Sequence, residues 1–267
     1  MSNGLIRILT ALIVLALFAC VTAFGQNNDR LTPLQRRIEQ QKQRLSSGEV
    51  EERRDALMKL GAMQHPDASR AAMTAVNDQD PMVRVMAAHA LASMPPAEAA
   101  MVIVPLLQDK LEFVRREAAY SLGETRSRTA VQPLIDLLST EKEPAVRAAA
   151  VVALGQVGDQ SAVPALAQAL SGISVNKKSK KREDQFVMRS AARALGQIGS
   201  QAGVQPLISA LTDEANSINL RRAAAEALGL IGDPSAVPAL EAAAVSNDPY
   251  LSEAARAALR RVKLAKK

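Results

Sequence analysis

Tryptophan is absent from this 267-residue chain, and two tyrosines and four phenylalanines are its only large rings. A core with so few rings has to come from small and aliphatic side chains brought close together, as in helices packed on helices. The same scarcity disfavours a sugar-binding cleft. Cysteine occurs once, at Cys20, so the remainder of the chain has no disulfide and no thiol nucleophile. Histidine occurs twice, as His65 before Pro66 and His89 before Ala90, which is too little for a metal site. No glycine-rich phosphate loop and no Ser-His-acid set has useful spacing. The residues therefore imply no catalytic group, no metal and no cofactor.

The formal charge is +6, but it is concentrated. Lys177, Lys178, Lys180, Lys181 and Arg182 stand together, followed by Glu183 and Asp184. The tail after Glu253 carries Arg256, Arg260, Arg261, Lys263, Lys266 and Lys267. The rest is slightly acidic, so a high isoelectric point is no argument for nucleic acid. One long apolar run exists. Residues 1–25 read as a presequence, with Arg7 ahead of the run Ile8 to Phe18 and the small-x-small site Ala23-Phe24-Gly25 before Gln26. Cleavage after Gly25 is the expectation. A lipidated Cys20 and an uncleaved anchor are the alternatives, and all three place the rest outside the cytoplasm.

What the chain has in abundance is repetition. A pattern of acid-Pro-x-Val-Arg-x-x-Ala-x-x-Ala-Leu-Gly recurs, its glycine slot falling at Gly61, Ala92, Gly123, Gly155, Gly196, Gly229 and Arg260. The steps between them are 31, 31, 32, 41, 33 and 31 residues. A fixed period of this size marks a solenoid, in which each unit buries its apolar face only against its neighbours. Each unit reads as two helices. The first carries Ala-Val-x-Pro-Leu, as at Ala130 to Leu134, with proline in the first turn where a missing N–H costs nothing. The second opens after an acid such as Asp80 or Glu143, placed to accept from free N–H groups, and is expected to end at the glycine slot in a left-handed cap. Thr32-Pro33 opens an N-terminal capping helix with Leu34, Ile38, Gln41 and Leu45 on one face. The expected organisation is a presequence (1–25), a linker and capping helix (26–48), a repeat array (49–264) and a basic end (265–267). The long step marks a basic insertion at about 174–184.

The motifs Pro144-Ala145-Val146-Arg147 with Ala153-Leu154-Gly155-Gln156-Val157-Gly158-Asp159, and Arg221 with Ala227-Leu228-Gly229-Leu230-Ile231-Gly232-Asp233, resemble HEAT repeats. They are most similar to the HEAT-like repeats of phycobilisome lyases, and the resemblance spans about Glu49 to Lys263. It implies an all-α, right-handed α-solenoid of about seven helix pairs, with the second helices lining the concave side. It also implies that Arg53, Arg84, Arg115, Arg147 and Arg221, with acids four residues earlier at Glu49, Asp80 and Glu143, form an internal Arg–acid ladder. The His-Glu pairs of HEAT-like iron hydroxylases are missing here.

Counting back from the glycine slot separates fixed positions from variable ones. Leu one back, Ala five back, and Val or Leu nine back are core. Ten, seven and three back vary, and this i, i+3, i+7 spacing places them on one helix face. That face carries Arg54, Met82, Phe113, Arg116, Tyr120, Phe186, Arg189, Arg193, Arg222 and Tyr250. Aromatics mixed with arginine are the composition of a protein-binding hot spot. Phe113, Phe186 and Tyr250 also fit as first-turn staples against a neighbouring helix. The basic insertion, Lys177, Lys178, Lys180, Lys181 and Arg182, reads as a solvated loop or as a contact with anionic lipid or acidic protein. The expectation is an exported, non-enzymatic scaffold or chaperone-like adaptor binding another envelope protein in its groove. The alternatives are a bilin lyase-like subunit and a nucleic-acid binder using a basic concave face.

Overall fold

The computed structural model describes residues 31–172 and 184–264. Residues 1–30, with the expected presequence and Cys20, the basic run from Lys177 to Arg182 and the last three residues lie outside the described residues. Among the described residues there are fourteen α-helices and no strand. They come in seven consecutive pairs: α1 (Pro33–Arg44) with α2 (Val50–Ala62), α3 (Pro66–Ala72) with α4 (Pro81–Ala90), and α5 (Pro96–Ile103) with α6 (Glu112–Thr125). Next come α7 (Val131–Thr140) with α8 (Pro144–Val157) and α9 (Val163–Leu170) with α10 (Gln185–Ile198). The last are α11 (Val204–Thr212) with α12 (Ile218–Ile231) and α13 (Val237–Ala244) with α14 (Pro249–Leu264). Each even-numbered helix packs on its odd-numbered partner and on the next even-numbered helix, so the even row forms an unbroken stack. This is an all-α solenoid.

Local chemistry sets the boundaries. Thr32 and Gln35 close a reciprocal capping box at the start of α1, whose Ile38 and Gln41 are buried against the array. Asp80 accepts from the N–H groups of Met82 and Val83 at the start of α4. Asp184 does the same for Phe186 in α10. Glu143 makes no such bond, so the expected acidic cap fails at α8, where Pro144 alone presets the first turn. The odd-numbered helices from α7 onward begin with a single 3-10 turn. Asp159 and Asp233 accept from the N–H of Ser161 and Ser235 at two of these turns. Those bonds, from the Ser161 backbone and from the Ser235 hydroxyl and backbone respectively, hold both carboxyls below their ordinary range.

The glycine slot is not a helix end. The left-handed caps stand three residues later, at Gly158, Gly199 and Gly232, with φ of 75°, 71° and 75°. The slot itself lies inside the helix, where one even-numbered helix touches the next. A Cβ at Gly229 would stand 2.7 Å from the Cα of Ala258, and one at Gly196 2.8 Å from that of Ala227. Gly123 faces Ala153 and Gly155 faces Ala194 in the same way. A fixed glycine thus answers a fixed alanine two positions before the next slot. The seam is looser at the start of the array: Gly61 leaves 3.6 Å to Ala90. Ala92 occupies the following slot within a 3-10 turn and is exposed.

The fixed apolar slots are core. Ala56, Ala87, Ala118, Ala150, Ala191, Ala224 and Ala255 are buried, as are Val83, Val114, Val146, Val187, Leu220 and Leu251. Leucines one before the slot are buried from Leu60 to Leu228, while Leu259 in the terminal helix is half-buried.

An Arg–acid ladder is present, but its acids are not those expected. Arg53 donates to both carboxylate oxygens of Asp78 at 2.8 and 2.9 Å. Arg84 does so to Asp109 at 2.8 and 3.1 Å, and Arg115 to Glu141 at 2.6 and 3.2 Å. Each acid ends the next odd-numbered helix or its connection. Each arginine also donates backward to a carbonyl of its own repeat: Arg53 to Ser47, Arg84 to Asp78, Arg115 to Asp109 and Arg221 to Leu211. Asp78 is therefore held by Arg53 through its carboxylate and by Arg84 through its carbonyl, and Asp109 likewise by Arg84 and Arg115. Glu49, Asp80 and Glu143 sit instead at the N-cap positions of α2, α4 and α8, where only Asp80 accepts from helix N–H groups. Burial pushes the carboxyls of Asp78, Asp109 and Glu141 upward, but the arginine and backbone N–H bonds outweigh it and leave all three low.

Candidate functional site

The positions ten, seven and three before each slot fall on a single outward face of the even-numbered helices. Their exposure follows the slot. The middle position forms a half-buried floor with Arg54, Arg116, Arg189 and Arg222, and is closed over at Val85 and Ala148. The flanking positions stand higher, with Met58, Met82, His89, Arg193, Glu226 and Tyr250 exposed.

The four aromatics of this face separate into two kinds. Phe113 and Tyr120 on α6 are half-buried and pack against the core. Phe186 on α10 is 46% exposed and Tyr250 on α14 is 68% exposed. The staple role therefore fits Phe113 and does not fit Phe186 or Tyr250. Neighbouring helices supply a reason. Val85 and Met86 occupy the middle of α4, ahead of α6, whereas α8, ahead of α10, has Ala148 and Ala149 at the equivalent positions. Alanine offers a ring too little side chain to be covered.

The arginines separate as well. Arg54 pairs with Glu51 at 2.6 Å, Arg116 with Glu117 at 3.1 Å and Arg222 with Glu226 at 3.7 Å. Glu117 also stands 3.7 Å from His89. Arg189 and Arg193 have no carboxylate within ion-pair distance among the described residues. Instead the Arg189 guanidinium lies over the Phe186 ring, 5.3 Å from its centroid, a cation–π contact that orders both side chains.

Between α12 and α14 the face deepens into an open cleft of about 490 Å³. Leu230, Tyr250, Ala254 and Ala257 give it an apolar wall, and Arg222, Glu226, Glu253 and Arg261 surround it. Leu230 is 56% exposed. Sequence reasoning missed Leu230 and Arg261. Both stand one residue after the glycine slot, four residues beyond the last variable position, and so on the same face. The changing residues of that position, Ala62, Ser93, Glu124, Gln156, Gln197, Leu230 and Arg261, were the available signal. Among the described residues no cluster of three or more His, Cys, Asp or Glu side chains is placed to hold a metal. Also among them, no helix is long and apolar enough to cross a membrane.

The family model for HEAT repeats matches residues 38–122, 102–172 and 178–260. No curated protein matches the chain by sequence. Among solved structures, the chain is similar to the complex of CpcE and CpcF of phycocyanin lyase from Nostoc sp. PCC7120, with 25% identity, a TM-score of 0.49, and 89% of each chain covered. It is similar to human deoxyhypusine hydroxylase in complex with glycerol at 21% identity and a TM-score of 0.42, covering 85% of this chain and 96% of that one. It is similar to Kap121p at 14% identity and a TM-score of 0.50, covering 88% of this chain and 30% of that one. These likenesses concern the solenoid fold.

Proposed function

The chain belongs to the HEAT-repeat family, and on that premise we propose that it is a non-enzymatic scaffold or adaptor that binds another protein along the even-numbered helices. The observation that carries this reading is the exposure of Met82, Phe186, Leu230 and Tyr250 on the one face where the repeats vary. Large apolar side chains kept in water on a face shared with arginine resemble the anchors of protein interfaces more than a solvated surface. The acids Glu51, Glu117 and Glu226, interleaved with the arginines, suit a protein partner better than a phosphate backbone. Export of the chain is part of the proposal and rests on the pattern of residues 1–25; a mature N-terminus at Gln26, read by mass spectrometry of the envelope fraction, is its expected signature.

The test is affinity capture from host envelope extract with the wild-type chain and a Met82→Ala/Arg116→Ala/Phe186→Ala/Tyr250→Ala variant. These side chains are exposed or half-exposed, so the variant is expected to melt within a few degrees of wild type. A protein held by wild type and lost by the variant is the expected result. Identical retained sets for the two baits overturn the reading.

A further inference from the structure

The charge on the binding face is unevenly spent. Three of its floor arginines, on α2, α6 and α12, are each paired with a glutamate of their own helix. On α10 the balance breaks. Arg189 and Arg193 stand one turn apart, so their guanidinium groups emerge on the same side, and neither meets a carboxylate among the described residues. Arg189 is steadied by Phe186. An arginine held by a ring presents its N–H fork with little rotamer entropy left to lose on binding a carboxylate. Farther along the row, the cleft between α12 and α14 offers the exposed side chains of Leu230 and Tyr250 on its wall.

We infer that these two features read one ligand: an extended segment of a partner protein whose acidic residues sit on Arg189 and Arg193 and whose apolar side chain enters the α12–α14 cleft. Neighbouring packed helices stand about 8–10 Å apart, which puts the cleft roughly 12–15 Å from α10 across the row. An extended chain covers that span in about four residues. The recognised pattern is therefore a pair of acids followed, about four residues away, by a Leu- or Phe-sized anchor. This inference rests on the proposed binding face and specifies its ligand.

The experiment uses the full chain and three fluorescein-labelled twelve-residue peptides in a Gly/Ser background. The first carries Asp-Glu and a Leu four residues on. The second replaces Asp-Glu by Lys-Lys, and the third replaces Leu by Ser. Binding is read by fluorescence anisotropy at physiological salt, with wild type, Arg189→Ser/Arg193→Ser, and Arg36→Ser/Arg37→Ser as a charge-matched control on the exposed surface of α1. Melting curves confirm that each variant is folded. The first peptide is expected to bind wild type and the α1 control alike. It should bind at least tenfold more weakly to the α10 variant, and the other two peptides at least tenfold more weakly to wild type. Equal losses from the α1 and α10 variants, equal binding of the three peptides, or no binding of the first peptide overturns the inference. If the peptide experiment fails, the capture experiment with the four-site variant still tests the broader reading, since it also removes Met82 and Arg116, which this ligand does not use.

Discussion

The hydroxyl oxygen of Ser121 is buried in α6 and bonded to nothing. A buried polar atom without a partner costs the desolvation it never recovers. Ser121→Ala is therefore expected to raise stability by about 1 kcal/mol, read as a higher midpoint in urea unfolding. The slot glycines give a matched contrast at the same scale. Gly229→Ala and Gly196→Ala drive a methyl into the facing helix backbone and are expected to cost about 1–3 kcal/mol each. Gly61→Ala meets nothing closer than 3.6 Å; it trades helical glycine for alanine and should gain roughly 0.5–1 kcal/mol. This contrast was hidden in the sequence. A glycine recurring after Ala-Leu is compatible with a left-handed cap or with a close approach. Only the position of the facing alanine, about thirty residues on, distinguishes them. The leucine, alanine and valine slots were legible because their spacing alone places them on the inward face.

Among the elements, the ladder from Arg53 to Glu141 ties the first four helix pairs together through three bidentate ion pairs largely shielded from water. Arg84→Ala removes the bonds to Asp109 and to the Asp78 carbonyl, and is expected to cost roughly 1.5–3 kcal/mol. Because Asp78, Asp109 and Glu141 titrate below their ordinary values, their contribution is complete above the unfolded carboxylate range. It drains away as pH falls through the lowered folded values. Thermal midpoints are expected to be level from pH 7 to about pH 5 and to fall steeply below about pH 4; a flat profile down to pH 3 would contradict the ladder. The existence of the ladder was readable from the recurring arginine. Its acids were not, since they lie twenty-five or twenty-six residues downstream, across a helix and a turn, while the nearer acids Glu49, Asp80 and Glu143 stand at N-cap positions. A second element-scale difference lies at the junction of α4 and α6. There Ala92 replaces glycine in a short 3-10 turn, and the buried hydroxyl of Ser121 stands near the seam. A repeat array opens where its neighbour contacts are thinnest, so amides of α2 and α4 are expected to exchange faster than those of α8 and α10 in hydrogen-exchange mass spectrometry.

For the molecule as a whole, the fold was almost fully legible and the chemistry of the candidate face was half legible. The period and the helix pairing follow from slots that every repeat obeys. The pairing of Arg54, Arg116 and Arg222 with glutamates lies within single helices and was open to a sequence reading, whereas the half-burial of Phe113 beside the exposure of Phe186, and the cleft beyond Leu230, depend on which repeat follows which. No single repeat contains that information. The even-numbered row also carries a mechanical consequence. From α6 to α14 its helices already meet backbone to side chain at the limit of contact, while the odd-numbered row touches more sparsely. Such a row is expected to act as one edge of a strip that cannot be shortened. Bending it tighter would compress the Gly–Ala contacts, whereas relaxing it only eases them. Its compliance is therefore expected to be one-sided, the row yielding by opening and resisting further closure.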